Sequence, residues 1–372
     1  PSDIERRGGL WGQSSATGTE GTDYINEIFG EIELPVLSGL PAIEQLTFNA
    51  SGRLFKYDSV ADSDYVWKVG MGWQIIPQLR LRATNGTSYR APGLYELYLG
   101  DQTGFLGQLG IDPCIDWGNS TNPNIRNNCA AAGIPDDYAG GAASATIITG
   151  GGLGVLKPET SKSFTTGLVF TPGFANLSAS LDYFRIEVND QIGQLGGASI
   201  VGSCYALSVF PNQFCNLFTR ADASALEPFA ILEVRDSYIN INKQLVRGYD
   251  LNVSWEGDFS FGKIAVESQI TKTIEDVELL FDSAEAGGFS TDDLNGIISR
   301  PKLVGNIRTA YTRGDFTYTW GMRYVDETEN FEFVTPTAYF GTPNPQYDNV
   351  AESRLYHSLS VLYRSTDWDL LV

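Results

Sequence analysis

Alternation with a period of two runs through this chain and restricts it to β-structure. From Tyr65 the odd positions are Tyr65, Trp67, Val69, Met71, Trp73 and Ile75, with Val66, Lys68, Gly70, Gly72 and Gln74 between them. From Phe316 the even positions are Phe316, Tyr318, Trp320, Met322 and Tyr324, separated by Thr317, Thr319, Gly321 and Arg323. Such a period puts the two sets on opposite faces of a strand. One face is apolar and aromatic; the other is polar and rich in glycine. The pattern predicts strands at 24–36, 44–57, 64–76, 79–89, 161–171, 176–192, 231–256, 260–273, 300–313, 315–327, 352–364 and 366–372. Strands of this length and number, with lipid-facing and lumen-facing residues in turn, are what a transmembrane antiparallel β-barrel requires. Leu79 and Leu81 alternate with Arg80 and Arg82. An arginine toward lipid costs ~2–4 kcal/mol near the bilayer midplane, so both arginines are expected to face the lumen.

The connections sort by length. Short ones fall at 37–43, 77–78, 172–175, 257–259, Gly314 and Ser365; longer ones fall at 58–63, 90–160, 193–230, 274–299 and 328–351. Tight turns at one end and long extracellular loops at the other are the asymmetry of a bacterial outer-membrane barrel. A soluble sandwich has no reason to sort its loops this way. Aromatics near strand ends (Tyr57, Tyr65, Trp73, Trp255, Tyr311, Tyr324, Tyr363) suit interfacial girdles, the alternative being the core of a soluble domain. No run of ~18 apolar residues exists to make a transmembrane helix. In 176–192 the phase slips, from Leu177, Ala179 and Leu181 to Phe184, Ile186 and Val188. A β-bulge near Tyr183 would cause this, as would an upper half standing clear of the bilayer. Segment 139–154 reads as low-complexity loop, and no helix with a lysine follows to make its glycines a phosphate cradle.

The net charge of -20 argues against a nucleic-acid partner; a solvated acidic surface is its first reading, and attraction of cations or cationic complexes the alternative. The four cysteines form two close pairs, Cys114 with Cys129 and Cys204 with Cys215, each in a long loop. Local pairs there suggest disulfides made in an oxidising compartment, the alternative being free thiols. The spacing is too wide for C-x-x-C and no His lies near, so no zinc site is expected. A D-x-D-x-D-G calcium loop is absent as well, and neither a metal nor a cofactor is expected. His357 is the single histidine and shares the parity of Leu355, Leu359 and Val361. A Ser-His-Asp site is hard to build around it, so no catalytic residue is assigned and an enzyme is disfavoured.

Three stretches carry a family resemblance. LRLRATNGTSYRAPGLYEL (79–97) is similar to a strand ending in Arg-x-Pro with Glu-Leu following, here Arg90, Pro92, Glu96 and Leu97. LKPETSKSFTTGLVFTP (156–172) supplies Pro158 and Glu159, and LDYFRIEVNDQIG (181–193) with RGYDLNVSW (247–255) supplies paired strands and Gly248. EIFGEIELPVLSG (27–39) fits the same pattern. Together these resemble the TonB-dependent transporters of Gram-negative outer membranes. The resemblance implies a 22-stranded barrel filled by an N-terminal plug, of which residues 1–372 would be about 12 strands, truncated at both ends and without plug, TonB box or signal peptide. It implies residence in the outer membrane among lipid and lipopolysaccharide, coupling to TonB through the plug, and active import of a bulky scarce nutrient such as a siderophore, cobalamin or an oligosaccharide. A passive porin-like channel and a soluble β-rich binding protein are the rivals. The motif residues are expected to be structural. Pro92 ends its strand for want of a ladder donor, and Arg90 and Glu96 are placed to pair at the upper rim. Ligand contacts are expected from loop residues, with Trp117, Tyr138, Arg220 and Tyr339 as candidates.

Overall fold

The computed structural model describes residues 14–60, 63–280, 291–329 and 350–372. Twelve strands form one antiparallel wall in chain order: β1 (Ile25–Leu40), β2 (Ile43–Tyr57), β3 (Asp64–Ile76), β4 (Leu79–Arg90), β5 (Glu159–Phe170), β6 (Asn176–Gly193), β7 (Ile239–Phe259), β8 (Gly262–Leu280), β9 (Leu303–Arg313), β10 (Phe316–Val325), β11 (Arg354–Arg364) and β12 (Asp369–Leu371). The short strand Thr291–Asp293 pairs with the long-loop end of β8. Among the described residues β1 and β12 are the two edges, and the wall is a partial barrel.

Register turns the sequence alternation into two surfaces. Leu81, Leu168, Leu181, Leu251 and Ile270 stand side by side across β4 to β8. The adjacent row on the opposite face is Arg82, Gly167, Asp182, Asp250 and Thr271. There the Arg82 guanidinium donates to both Asp182 oxygens at 2.8 and 2.7 Å, and the Thr271 hydroxyl donates to Asp250 at 2.6 Å. Gly167 lies between Arg82 and Asp182, and a Cβ on it would sit 2.0 Å from Asp182 Oδ1. The missing side chain is what lets the pair meet across three strands. Buried apolar residues are scarce in the wall (Phe55, Ile192 and Ile241) and concentrated elsewhere. Apolar side chains such as Val69, Leu168, Leu181 and Leu359 instead stand exposed on one face. Among the described residues no second layer covers that face, and a sheet bare on its apolar face is stable only in an apolar solvent.

At the short-turn end the rings of Trp255, Phe259, Phe261, Tyr311, Tyr318, Phe316, Tyr363 and Trp368 follow one another at centroid distances of 4.9–6.3 Å. Of the expected girdle residues Trp255, Tyr311 and Tyr363 are in this run, and such a belt suits a membrane interface.

The long connections 91–158 and 194–238 are folded together into a cap. Its sheet has the order Gln102–Leu106, Ala145–Thr149, Ile231–Arg235, Phe218–Arg220, with the middle pair parallel. Helices Pro123–Ala131 and Gly197–Ala206 pack on it. The largest core cluster, with Ile200, Val201, Phe214, Ile231 and Val234 at its centre, lies here.

Several expected boundaries move. The span 231–256 divides: Ile231–Arg235 belongs to the cap and the wall strand starts at Ile239. Asp236 makes the break, its buried carboxylate accepting from the N–H groups of Leu195 and Gly196 at 2.9 and 3.0 Å. Segment 139–154 contains the cap strand Ala145–Thr149, where threonine and isoleucine outweigh the flanking glycines. The 37–43 turn shrinks to two residues, because β1 continues to Leu40 through a bulge between Pro35 and Leu37. No bulge lies at Tyr183. Pairing of β6 with β5 and β7 runs unbroken through it; the irregularities lie between Asn240 and Gln244 in the β6–β7 pairing and between Arg247 and Gly248 in the β7–β8 pairing. The slip is therefore a true exchange of faces.

Candidate functional site

Where wall meets cap, the motif residues form a clasp. The strand β4 stops at Arg90, Pro92 is buried, and the short helix Leu94–Tyr98 begins. Glu96 accepts from the Gly93 N–H at 2.6 Å, satisfying a free donor at the helix start. Arg90 then bridges two carboxylates. It reaches Glu96 at 2.9 and 3.0 Å and Glu159, the first residue of β5, at 2.8 and 2.5 Å. Glu159 also accepts from the Ile192 N–H of β6 at 2.8 Å. One guanidinium fork thus ties three strand ends to the helix. Behind it Leu97 is fully buried against Leu156 and Ile192. Pro158 follows Lys157, whose backbone N–H and C=O are both held by the Asn240 side chain at 2.8 and 2.9 Å. Gly248 lies farther down β7, where a Cβ would come 2.8 Å from the Phe184 ring and 2.3 Å from the Lys272 carbonyl.

The cap is stapled internally. Cys114–Cys129 and Cys204–Cys215 are disulfides, closing separations of 15 and 11 residues. Asp112, with a side chain wholly buried, takes a bidentate pair from Arg220 at 2.7 and 2.8 Å. Arg220 also donates to the Phe229 carbonyl and lies over the Tyr205 ring at 5.3 Å. Burial opposes the Arg220 charge, but the Asp112 carboxylate outweighs it and raises the pKa above its ordinary value. Burial pushes the Tyr205 and Tyr138 phenols up as well. Gln108 spans the backbone N–H and C=O of Ile231 at 3.0 and 2.7 Å. Asp112, the Arg220 terminal nitrogens and Gln108 are thus partnered, as buried polar groups of a structured domain are, while the Tyr138 hydroxyl and Arg220 Nε are buried without a hydrogen-bond partner among the described residues.

Of the four candidate ligand residues, Trp117 donates its indole N–H to the Ile134 carbonyl at 3.1 Å. Tyr138 is buried in the cap core, and Arg220 is the ion-pair partner of Asp112. The three belong to one module but turn their polar groups to its interior. Tyr339 lies outside the described residues. Asp112, Gln108, Asp236 and Asn240 escaped sequence reading. Their partners stand as far as 123 residues away, and no local spacing marks them.

The polar face of the wall carries a groove of about 710 Å³ lined by Ser178, Ser180, Asn252, Glu267, Asn306 and Arg308 among others. Small hydroxyls and amides there make a wall that water or a polar domain can cover.

The family described as TonB dependent receptor-like, beta-barrel matches residues 5–368. The chain belongs to that family. A mutant of the ferric enterobactin receptor of Pseudomonas aeruginosa is similar over 92% of this chain and 37% of its own, at 15% identity and a TM-score of 0.55. The siderophore receptor PirA from Acinetobacter baumannii is similar over 93% of this chain and 40% of its own, also at 15% and 0.55. PirA from Pseudomonas aeruginosa follows at 10% identity, a TM-score of 0.50, and coverages of 93% and 43%. At these identities the likeness is one of fold, and this TonB-dependent receptor barrel spans well under half the length of each. The family comprises outer-membrane receptors and transporters rather than enzymes.

Proposed function

We propose that the chain is wall and part of the cap of an outer-membrane receptor that binds a bulky, scarce nutrient outside the cell and imports it actively. The observation that carries this reading is the disulfide-stapled cap clasped to the strand ends of a wall that is polar on one face and apolar on the other. A passive pore needs a permanently open mouth; a receptor needs a shaped one. Outer-membrane lipid and lipopolysaccharide would surround the apolar face. The edges β1 and β12 would pair with further strands of a larger barrel, since unpaired ladder groups are not tolerated in hydrocarbon. TonB would act on a plug resting against the polar face. Trp117, Tyr138 and Arg220 serve the ligand by holding the cap in shape, and Tyr339 remains the candidate for direct contact.

A ferric siderophore is the first ligand to test, because solved receptors of this fold include one for ferric enterobactin and two siderophore receptors. Cobalamin and oligosaccharides come next. In cells carrying the full-length receptor, uptake of radiolabelled ferric siderophore should saturate and should stop when a protonophore collapses the proton-motive force. Uptake that rises in proportion to concentration and ignores the protonophore would mean a passive channel.

A further inference from the structure

The apolar face of the wall changes character at one height, on four neighbouring strands only. Tyr183 of β6 pairs with Tyr249 of β7, their ring centroids 5.4 Å apart, and Lys272 of β8 stands beside Tyr249. Below them run the leucines of the apolar row. One row above on the same face Arg185 is paired with Arg247, and above these Lys162 faces Glu187. Lys243 and Arg185 both reach Glu187, at 2.8 and 3.2 Å, and Arg247 reaches Glu275. That makes five exposed cations against two carboxylates, on a chain whose net charge is -20. In the same rows the flanking strands offer only Ala83, Asn85 and Thr87 on β4 and Leu303 on β9.

Height decides what this patch meets. Tyr249 and Phe259, which belongs to the aromatic girdle at the short-turn end, lie at the two ends of the apolar stretch of β7. Ten residues at ~3.3 Å each, tilted by ~40°, rise about 25 Å, which is the height of the apolar band of an outer-membrane barrel. The cationic rows begin at its upper margin, where a charge on the outer face costs only ~0–1 kcal/mol. The unbroken register of β5, β6 and β7 through Tyr183 puts Lys162, Arg185 and Arg247 on the lipid face, and Lys272, paired with Tyr249 below the shift between Arg247 and Gly248 in the β7–β8 pairing, stands on the same face.

We infer that the outer wall of β5 to β8 binds the phosphate groups of a phosphorylated lipid headgroup in the surrounding outer leaflet. The two carboxylates hold the cationic side chains in position and leave a surplus of three positive charges for the phosphates. Arginine forks and lysine ammonium groups are the donors suited to them. The site rests on the reading of the apolar face as a membrane wall.

The test uses the full-length receptor in detergent micelles, with diphosphoryl lipid A as probe and native mass spectrometry as readout. Lipid should bind at defined stoichiometry, and its dephosphorylated form should bind far more weakly. Combining Arg185→Gln, Arg247→Gln and Lys272→Gln should weaken binding roughly a hundredfold, while inorganic phosphate should fail to displace the lipid. Equal binding by the triple variant, equal binding of dephosphorylated lipid, or displacement by inorganic phosphate overturns the proposal. Heat-modifiable gel migration, read on each protein, separates the failures. A receptor that never shows it refutes the membrane wall itself. One that shows it without preferring phosphate refutes only this site. The dephosphorylated-lipid comparison needs no variant, so it decides even where the triple variant misfolds.

Discussion

Arg90 and Arg220 are both arginines between carboxylates, yet exposure gives them different weights. The Arg90 side chain is 47% exposed, so solvent screens its pairs with Glu96 and Glu159. Arg90→Ala should loosen the cap by only about 1 kcal/mol. Arg90→Lys should not restore it, since an ammonium cannot reproduce two bidentate contacts. Proteolysis of the 91–158 segment against temperature would register both. Arg220 is 11% exposed and its partner Asp112 not at all. Arg220→Met leaves a buried carboxylate without its countercharge, and the cap should lose ~3–5 kcal/mol. Adding Asp112→Leu should recover most of that loss, because both desolvation penalties then disappear. Equal instability of the single and double variants, measured by denaturant unfolding of the cap, would falsify this account of the pair. The clasp was legible in sequence because Arg90, Glu96 and Glu159 lie in recognisable motifs at strand ends. The buried pair was not, because its partners are 108 residues apart and only the fold brings them together.

Elements divide by the same logic of local against distant causes. Wall strands announced themselves because each carries its own alternation, which lipid on one side and a polar lumen on the other enforce residue by residue. Cap elements did not, since a small soluble core tolerates irregular spacing as long as its centre is packed. Hence the sequence alone gives Ala145–Thr149 the pattern of a loop and Ile231–Arg235 that of the wall. The cap's stability should also respond to agents that leave the wall intact. Replacing Cys114 and Cys129 by serine should cost ~3 kcal/mol for a loop of this length, visible as earlier proteolysis of the cap with unchanged heat-modifiable migration of the barrel. Asp236 adds a pH dependence. Burial raises its carboxyl above the ordinary range, against the pull of the Gly196 and Leu195 N–H groups. A carboxyl raised in the folded state stabilises most below its unfolded pKa, and that contribution is lost as pH rises through the folded value. Asp236→Asn does not titrate. The stability advantage of the wild type over this variant should therefore grow as pH falls from neutrality into the carboxylate range. Amide exchange at Leu195 and Gly196, compared at matched pH so that intrinsic rates cancel, measures it, and an advantage that shrinks on acidification would contradict the assignment.

At the scale of the whole molecule the decisive quantity is unpaired edge. β1 offers 16 residues of ladder at one side of the wall, and β12 offers 3 at the other. Were the two to pair with each other, 13 residues of β1 would still lack a partner strand among the described residues. In hydrocarbon each unsatisfied backbone group costs several kcal/mol, far more than the 5–15 kcal/mol by which a domain is ordinarily stable. Pro35 removes one of those donors and relieves little of the cost. The cap cannot compensate, because its core is packed within itself rather than against the β1 edge. The 372-residue chain refolded alone into detergent should therefore give strand-rich aggregates, joined edge to edge, with no heat-modifiable monomer. The full-length receptor under the same conditions should give one. A compact, heat-modifiable monomer from the isolated chain would mean that β1 and β12 can close a smaller barrel. The reading of this wall as one part of a larger barrel would then fall.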